Sequence, residues 1–274
     1  KDCSLLMVLG PRKGLTDPEL DGLRDYLDQG GRAIFFVEAW YRKGPDGGPR
    51  FDDTGLEVVL EERFGVEPLN ESVFLMFMNR HYNRMTADHQ LVCHSLDPMH
   101  AVTAPLTSRG AKIAFYSGRP VQLKPLTNTD QKVLVSTKGW GSRCFSTSDP
   151  ALATQTGTTM NKGPFSIGVA VEYVAPEGET KRQNTRVAVF GDVEWITNQF
   201  IAERAFSNLE LFLNTVNWCI QRDDMMVGEA RRPPSYKLNM SAGTLDRIKL
   251  LAFPGMPFVA LLLGVFAFLL RGRN

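Results

Sequence analysis

The 274 residues carry 31 lysines and arginines against 30 aspartates and glutamates, and 43% of them are hydrophobic. That is enough apolar material for one sizeable core or two small ones, and a formal charge of +1 leaves no basic surplus to neutralise nucleic-acid phosphates. No RNA-binding or helix-turn-helix signature is present, so nucleic acid is excluded as an expected partner.

The chain begins at Lys1 rather than Met and enters at once on a buried-type strand, SLLMVL (4–9), so we expect a piece of a longer protein. Gly10-Pro11 breaks that strand. Thr16 and Glu19 have the spacing of a capping box with Pro18 in the first turn, and Leu20, Leu23 and Leu27 then fall on one helical face. Gly30-Gly31 stops the helix before a second apolar strand, RAIFFVE (32–38). This is a β-α-β unit, the kind that builds parallel sheets. After a polar glycine- and proline-rich loop (41–53), Thr54 and Glu57 form a second capping box, and Leu56, Val59, Leu60 and Phe64 point one way until Gly65 ends the helix.

The middle region (80–164) predicts irregular loops with strands at 111–117 and 133–136. FSIGVAVEYV (165–174) and RVAVFG (186–191) predict neighbouring strands. Ser207 and Glu210 open a third helix running to Arg222, with Leu209, Phe212, Leu213, Val216 and Cys219/Ile220 expected to face the sheet. Residues 228–248 are basic and contain Pro233-Pro234, as an extended linker would. Residues 250–270 hold 21 residues without a charge, and as a helix they would span roughly 30 Å, so a C-terminal transmembrane helix (249–270) with a short tail (271–274) is expected. Basic residues flank both ends of that stretch, so charge alone leaves its orientation open. The expected architecture is thus an α/β domain over 1–227, with a mainly parallel sheet flanked by helices as in flavodoxin-like and amidotransferase-like folds, followed by the span.

All four histidines, His81, His89, His94 and His100, fall within one window of 20 residues that also holds Asp88, Cys93 and Asp97. Such side chains ligate zinc, but their spacing matches no compact motif, so packing or surface roles compete with metal binding. Cys3, Cys93, Cys144 and Cys219 form no C-x-x-C pair, and none sits on the tight strand-to-helix turn a nucleophilic thiol needs. The serine-elbow, Walker and dinucleotide fingerprints are missing as well, and no cofactor is implied. Asp192 and Glu194, at the end of the strand RVAVFG, stand where open α/β sheets bind ligands, with Asn198 close behind. Paired carboxylates could act as acid and base. Equally, Asp192 could accept hydrogen bonds from the following helix while Asn198 ties down the turn.

Several stretches together resemble one family: LLMVLGPRKGLTDPELDGLRDYLDQGGRAIFFVE, HAVTAPL (100–106), VLVST with KGPFSIGVAVE, and RVAVFGDVEWITNQFI with SNLELFLNTVNWCIQRDD. The resemblance is to the auxiliary subunits of gliding-motility-type ABC transporters (GldG-like), whose soluble part is similar to a glutamine-amidotransferase-like domain also found in an intraflagellar transport protein. It implies a non-enzymatic accessory subunit at the cytoplasmic membrane, its main domain extracytoplasmic, one helix before Lys1, and Arg271 and Arg273 in the cytoplasm. The implied partners are an ABC permease and ATPase, the membrane, and a protein, glycan or lipid-linked ligand. Two features depart from the pattern: Trp195 stands where the family more often has a smaller aromatic, and 80–99 looks like an insertion. The competing expectation is a membrane-tethered hydrolase or metal-dependent enzyme using Asp192/Glu194 or the histidine window.

Overall fold

The structure, a computed structural model, describes residues 3–38, 41–43, 49–79, 84–148, 160–174, 176, 185–222, 225, 247, 249, 253 and 255–271. The chain divides into two compact units, Lys1–Ala230 and Arg231–Asn274. His81, almost all of the 228–248 linker, residues 272–274 and the centre of the polar 146–164 stretch lie outside the described residues.

The first two helices and the first two strands fold as their pattern predicts, whereas the expected loop at 41–53 contains a strand pair. β1 (Leu6–Leu9) and β2 (Ala33–Phe36) run parallel, with Leu6 beside Ala33 and Leu9 beside Phe36, and helix α1 (Asp17–Asp28) makes the crossover. Glu19 closes the capping box by accepting both the Thr16 N–H and its hydroxyl at 2.8 Å. Leu20, Leu23 and Leu27 are buried. β3 (Tyr41–Lys43) and β4 (Pro49–Phe51) pair as a hairpin, and α2 (Leu56–Phe64) buries the four predicted residues before Gly65 turns left-handed at φ +65°.

The remaining elements are mostly short strands: β5 (Val66–Pro68), β6 (Ser72–Asn79), β7 (Arg84–Asp88), β8 (Gln90–Cys93), β9 (Ser95–Leu96), β10 (Ile113–Tyr116), β11 (Val121–Leu123) and β12 (Thr129–Ser136). After them come β13 (Cys144–Thr147), β14 (Asn161–Lys162), β15 (Ser166–Tyr173) and β16 (Arg186–Phe190). Between 80 and 164, where loops dominate the expectation, the described residues include strands on either side of the short helix α3 (Ala104–Thr107). Two of them, β10 and β12, overlap the strands expected at 111–117 and 133–136; most of the others are too short to give a readable period.

The expected mainly parallel sheet is corrected. The principal sheet has the order β1-β2-β16-β15-β12-β9, and only β1, β2 and β16 run parallel. The pairs β16/β15, β15/β12 and β12/β9 are antiparallel, as are those of the smaller sheets. Parallel neighbours need a crossover long enough to traverse the sheet, usually helical. α1 supplies one, whereas β15 and β16, the predicted neighbours, pair as an antiparallel hairpin-like ribbon from Gly168/Phe190 to Glu172/Arg186.

Central strands are apolar on both faces, as sheets covered on both sides require. Ala33, Phe35, Val187 and Val189 pack with α1 and α2 on one side. Ile34, Phe36, Ala188 and Phe190 pack on the other with Trp195, Leu211 and Trp218. The last of these layers includes α5 (Asn208–Cys219), which ends three residues before the predicted Arg222. Its buried face is also rotated from expectation: Asn208, Leu211, Asn214, Thr215, Trp218 and Cys219 are buried, while Leu209, Phe212, Leu213 and Val216 are only partly so. Hydropathy misplaced that face because two buried asparagines serve as hydrogen-bonding staples. Asn208 accepts the Ala114 N–H at 3.0 Å and donates to the Ala114 and Trp195 carbonyls at 2.8 Å; Asn214 donates to the Val102 carbonyl at 3.0 Å.

The predicted transmembrane helix is corrected too. Regular helix α6 runs only from Met256 to Arg271, 16 residues, or roughly 24 Å at 1.5 Å per residue. That falls short of a hydrocarbon core about 30 Å thick. Among the described residues, no helix is long and apolar enough to cross a membrane.

Candidate functional site

The carboxyl ends of the three parallel strands converge on one turn. Past the ladder, the Gly10 N–H donates to the Phe36 carbonyl at 2.9 Å and the Val37 N–H to that of Phe190 at 2.8 Å, which carries Gly10, Glu38 and Asp192 to the same edge. Asp192 is fully buried. Its Oδ1 accepts the Glu194 N–H at 2.6 Å and its Oδ2 the Tyr116 N–H at 2.7 Å, while Glu38 Oε2 accepts the Val193 N–H at 3.0 Å. Two carboxylates from adjacent strands therefore hold successive amides of one turn. Burial, then the neighbouring Glu38 charge, pushes the Asp192 carboxyl well above the usual carboxylate range, against the opposing pull of its two amide donors.

Glycine is required where this turn meets its support. A Cβ on Gly191 would lie 1.8 Å from the Arg119 carbonyl oxygen, and the Arg119 N–H donates to the Gly191 carbonyl at 2.5 Å. The Arg119 guanidinium is buried yet satisfied, donating to Glu57 at 2.8 Å, to the Leu69 carbonyl at 2.7 Å and to Asn70 at 2.7 Å. It ties α2 and the β5–β6 connection to the strand end.

The predicted site residues thus separate into two kinds. Both Asp192 carboxylate oxygens are engaged by backbone N–H groups inside the fold. Glu194 and Asn198 are exposed, at the start of the turn Glu194–Ile196 and of helix α4 (Asn198–Ile201). The side-chain bond that tightens this turn comes from the Thr197 hydroxyl, which donates to the Glu194 carbonyl at 2.7 Å.

A second group stands beside it. Ser117, the residue after β10, has φ +53°, a left-handed backbone uncommon outside glycine. Its N–H donates to the His89 carbonyl at 2.7 Å, and its hydroxyl lies 2.6 Å from that of buried Ser72 and 3.4 Å from His89 Nδ1. The His89 ring centroid is 6.0 Å from that of Phe74 and 6.3 Å from that of half-exposed Tyr116. Burial lowers the His89 pKa against the pull of Asp88. Of this corner the sequence singled out His89 alone, through the histidine window; Ser117 and Ser72 belong to no motif.

The other described histidines go elsewhere. His94 is exposed, 6.5 Å from the Trp140 ring, and His100 accepts the Val102 N–H at 3.2 Å and lies edge-on to Trp218 at 5.0 Å. Among the described residues no group of three histidine, cysteine, aspartate or glutamate side chains is placed to hold a metal ion. The four cysteines are free thiols; Cys3 is exposed and the others buried, and burial pushes Cys219 up to about 12.

The sequence model of the family described as an ABC-type uncharacterized transport system matches residues 1–215. No curated protein matches the chain. Among solved structures, the mmIFT52 N-terminal domain is similar at a TM-score of 0.51 and 18% identity, over 79% of this chain and 77% of that one. At that identity the likeness shows a shared fold alone.

Proposed function

The chain belongs to the family of ABC-type uncharacterized transport systems, and from that premise we propose that it is an accessory subunit which recognises a partner or ligand instead of powering transport. The observation that carries this is the family match over 215 of 274 residues. ATP hydrolysis falls to an ATPase subunit and passage to a permease; this chain is non-enzymatic in transport itself. The accessory role implies a site of action at the membrane, and we place the α/β body on the extracytoplasmic side, in a complex of the transport or gliding-motility type.

We assign recognition to the turn at the parallel strand ends. Glu194 and Asn198 present polar groups there, while Asp192 and Glu38 hold the backbone that aims them. Crevices at the carboxyl ends of such strands are the usual ligand position in open α/β sheets. The ligand is a protein, a glycan or a lipid-linked molecule.

Co-purification in mild detergent with the ATPase and permease expressed together tests the assignment. The full chain should retain both subunits. A Glu194→Lys/Asn198→Ala double variant, with unchanged melting, should lose at least about tenfold in affinity for the subunit or ligand that docks there, on the order of 1.4 kcal/mol. Failure of the wild type to retain either subunit would overturn the accessory role. Equal retention and ligand binding by the variant would overturn the site alone.

A further inference from the structure

We propose that Ser117 is a nucleophilic serine, with His89 as its base, able to take an acyl group from a neutral carboxylic ester. The proposal is independent of the accessory role and concerns a different corner of the strand-end surface.

Three observations carry it. The first is backbone strain at a reactive residue type. Ser117 adopts φ +53° where the chain leaves β10, and Gly118 follows with Ile167 close enough to crowd even a Cβ, at 3.2 Å. A left-handed serine between a strand and a glycine sits on a sharp bend, and such strain concentrates where function requires it. The second is a hydroxyl relay. Ser72 is buried, and its oxygen lies 2.6 Å from that of Ser117, which in turn lies 3.4 Å from His89 Nδ1. With the imidazole proton on Nε2, Ser72 donates to Ser117 and Ser117 donates to Nδ1, so each hydroxyl proton is used once. The 3.4 Å contact is long for a hydrogen bond, as catalytic pairs often are before substrate arrives. The third is access: Ser117 and His89 are both partly exposed, unlike Asp192.

The surroundings set the substrate class. The half-exposed Tyr116 ring stands 6.3 Å from the imidazole and presents an apolar face there, with buried Phe74 6.0 Å away on the core side. Asp88 adjoins His89 and acts on it electrostatically, so an anionic acyl group is disfavoured. In the reaction, Ser117 Oγ attacks the ester carbonyl carbon while its proton passes to His89 Nδ1. The bond to the leaving alkoxide breaks, and the alkoxide takes that proton from His89 to depart as the alcohol. Water, deprotonated by the same nitrogen, then releases the acid and restores the serine hydroxyl.

The full chain should be treated with a fluorophosphonate, which replaces its P–F bond by a bond to an activated serine oxygen, and the adduct mapped by mass spectrometry. The expected result is one stoichiometric adduct on Ser117. Ser117→Gly, which accepts the left-handed backbone and so preserves the fold, should remove it. His89→Gln should slow labelling on the order of 100-fold, the contribution of a general base. No adduct on folded wild type, under conditions that label a serine esterase to completion, would overturn the proposal. So would an adduct that survives in Ser117→Gly, or an unchanged rate in His89→Gln.

Discussion

Asp192 shows how a residue can occupy a catalytic address and still be spent on structure. Both carboxylate oxygens accept backbone N–H groups, from Glu194 and Tyr116, and the side chain is fully buried. Its ionisation is opposed by burial and by Glu38, so the folded carboxyl titrates above an unfolded aspartate, which loses its proton near about 3.9. The folded state therefore binds more protons across the interval between the two values. Stability from this group is present below the unfolded value and lost as pH rises through the folded one. Asparagine keeps the shape but not the charge. The unfolding free energy of wild type minus that of Asp192→Asn should fall as pH rises from 4 to 8, measured by urea midpoints. Taking the difference removes the opposite trend from His89 and His100, whose pKa values burial lowers. A difference that grew with pH would mean the amide donors outweigh burial.

At the scale of elements, the interior is fastened by polar side chains as well as filled by apolar ones. Asn208 begins α5 and satisfies the backbone of Ala114 in β10 and of Trp195 in the turn, which joins three elements through one buried amide. Alanine there would strand one N–H and two carbonyls in the core. Each unmet buried group costs about 1–3 kcal/mol, so we expect Asn208→Ala to lose on the order of 3 kcal/mol. For a body of this size that lowers the melting temperature by roughly 6–12 °C, readable by calorimetry. These staples also explain why α5 turned a different face inward than its leucines and phenylalanines indicated. α1 and α2 hold no such residues on their inner faces, and there hydropathy and geometry agree.

The whole molecule separates a well-filled body from an apolar C-terminal unit. Both large core clusters draw their residues from positions up to Cys219. In the second unit Phe253, Phe258, Leu261, Leu263 and Phe268 are 61% exposed or more. Contiguous apolar surface of that kind promotes association. A chain ended after Ala230 should keep the melting temperature of the full chain within about 2 °C, since by the usual conversion 1 kcal/mol moves a domain of this size by roughly 2–4 °C. It should also sediment as smaller species in detergent-free buffer. A larger loss of stability would show that the second unit supports the first.

The sequence by itself determined what depends on neighbours in the chain. The β1-α1-β2 unit, the stop at Gly65, the apolar runs that become β15 and β16, and the arrival of Asp192 at a strand end all follow from caps, glycines and apolar runs written in residues close together in the chain. Tertiary structure decided the rest. Antiparallel pairing of half the principal sheet depends on which strands meet, a matter of long-range packing that no local period encodes. The inner face of α5 depended on carbonyls contributed by residues 13 to 112 positions away. Glu38 with Val193, and Ser117 between Ser72 and His89, are likewise encounters of residues 155, 45 and 28 positions apart in the chain, brought together only once the strands had stacked.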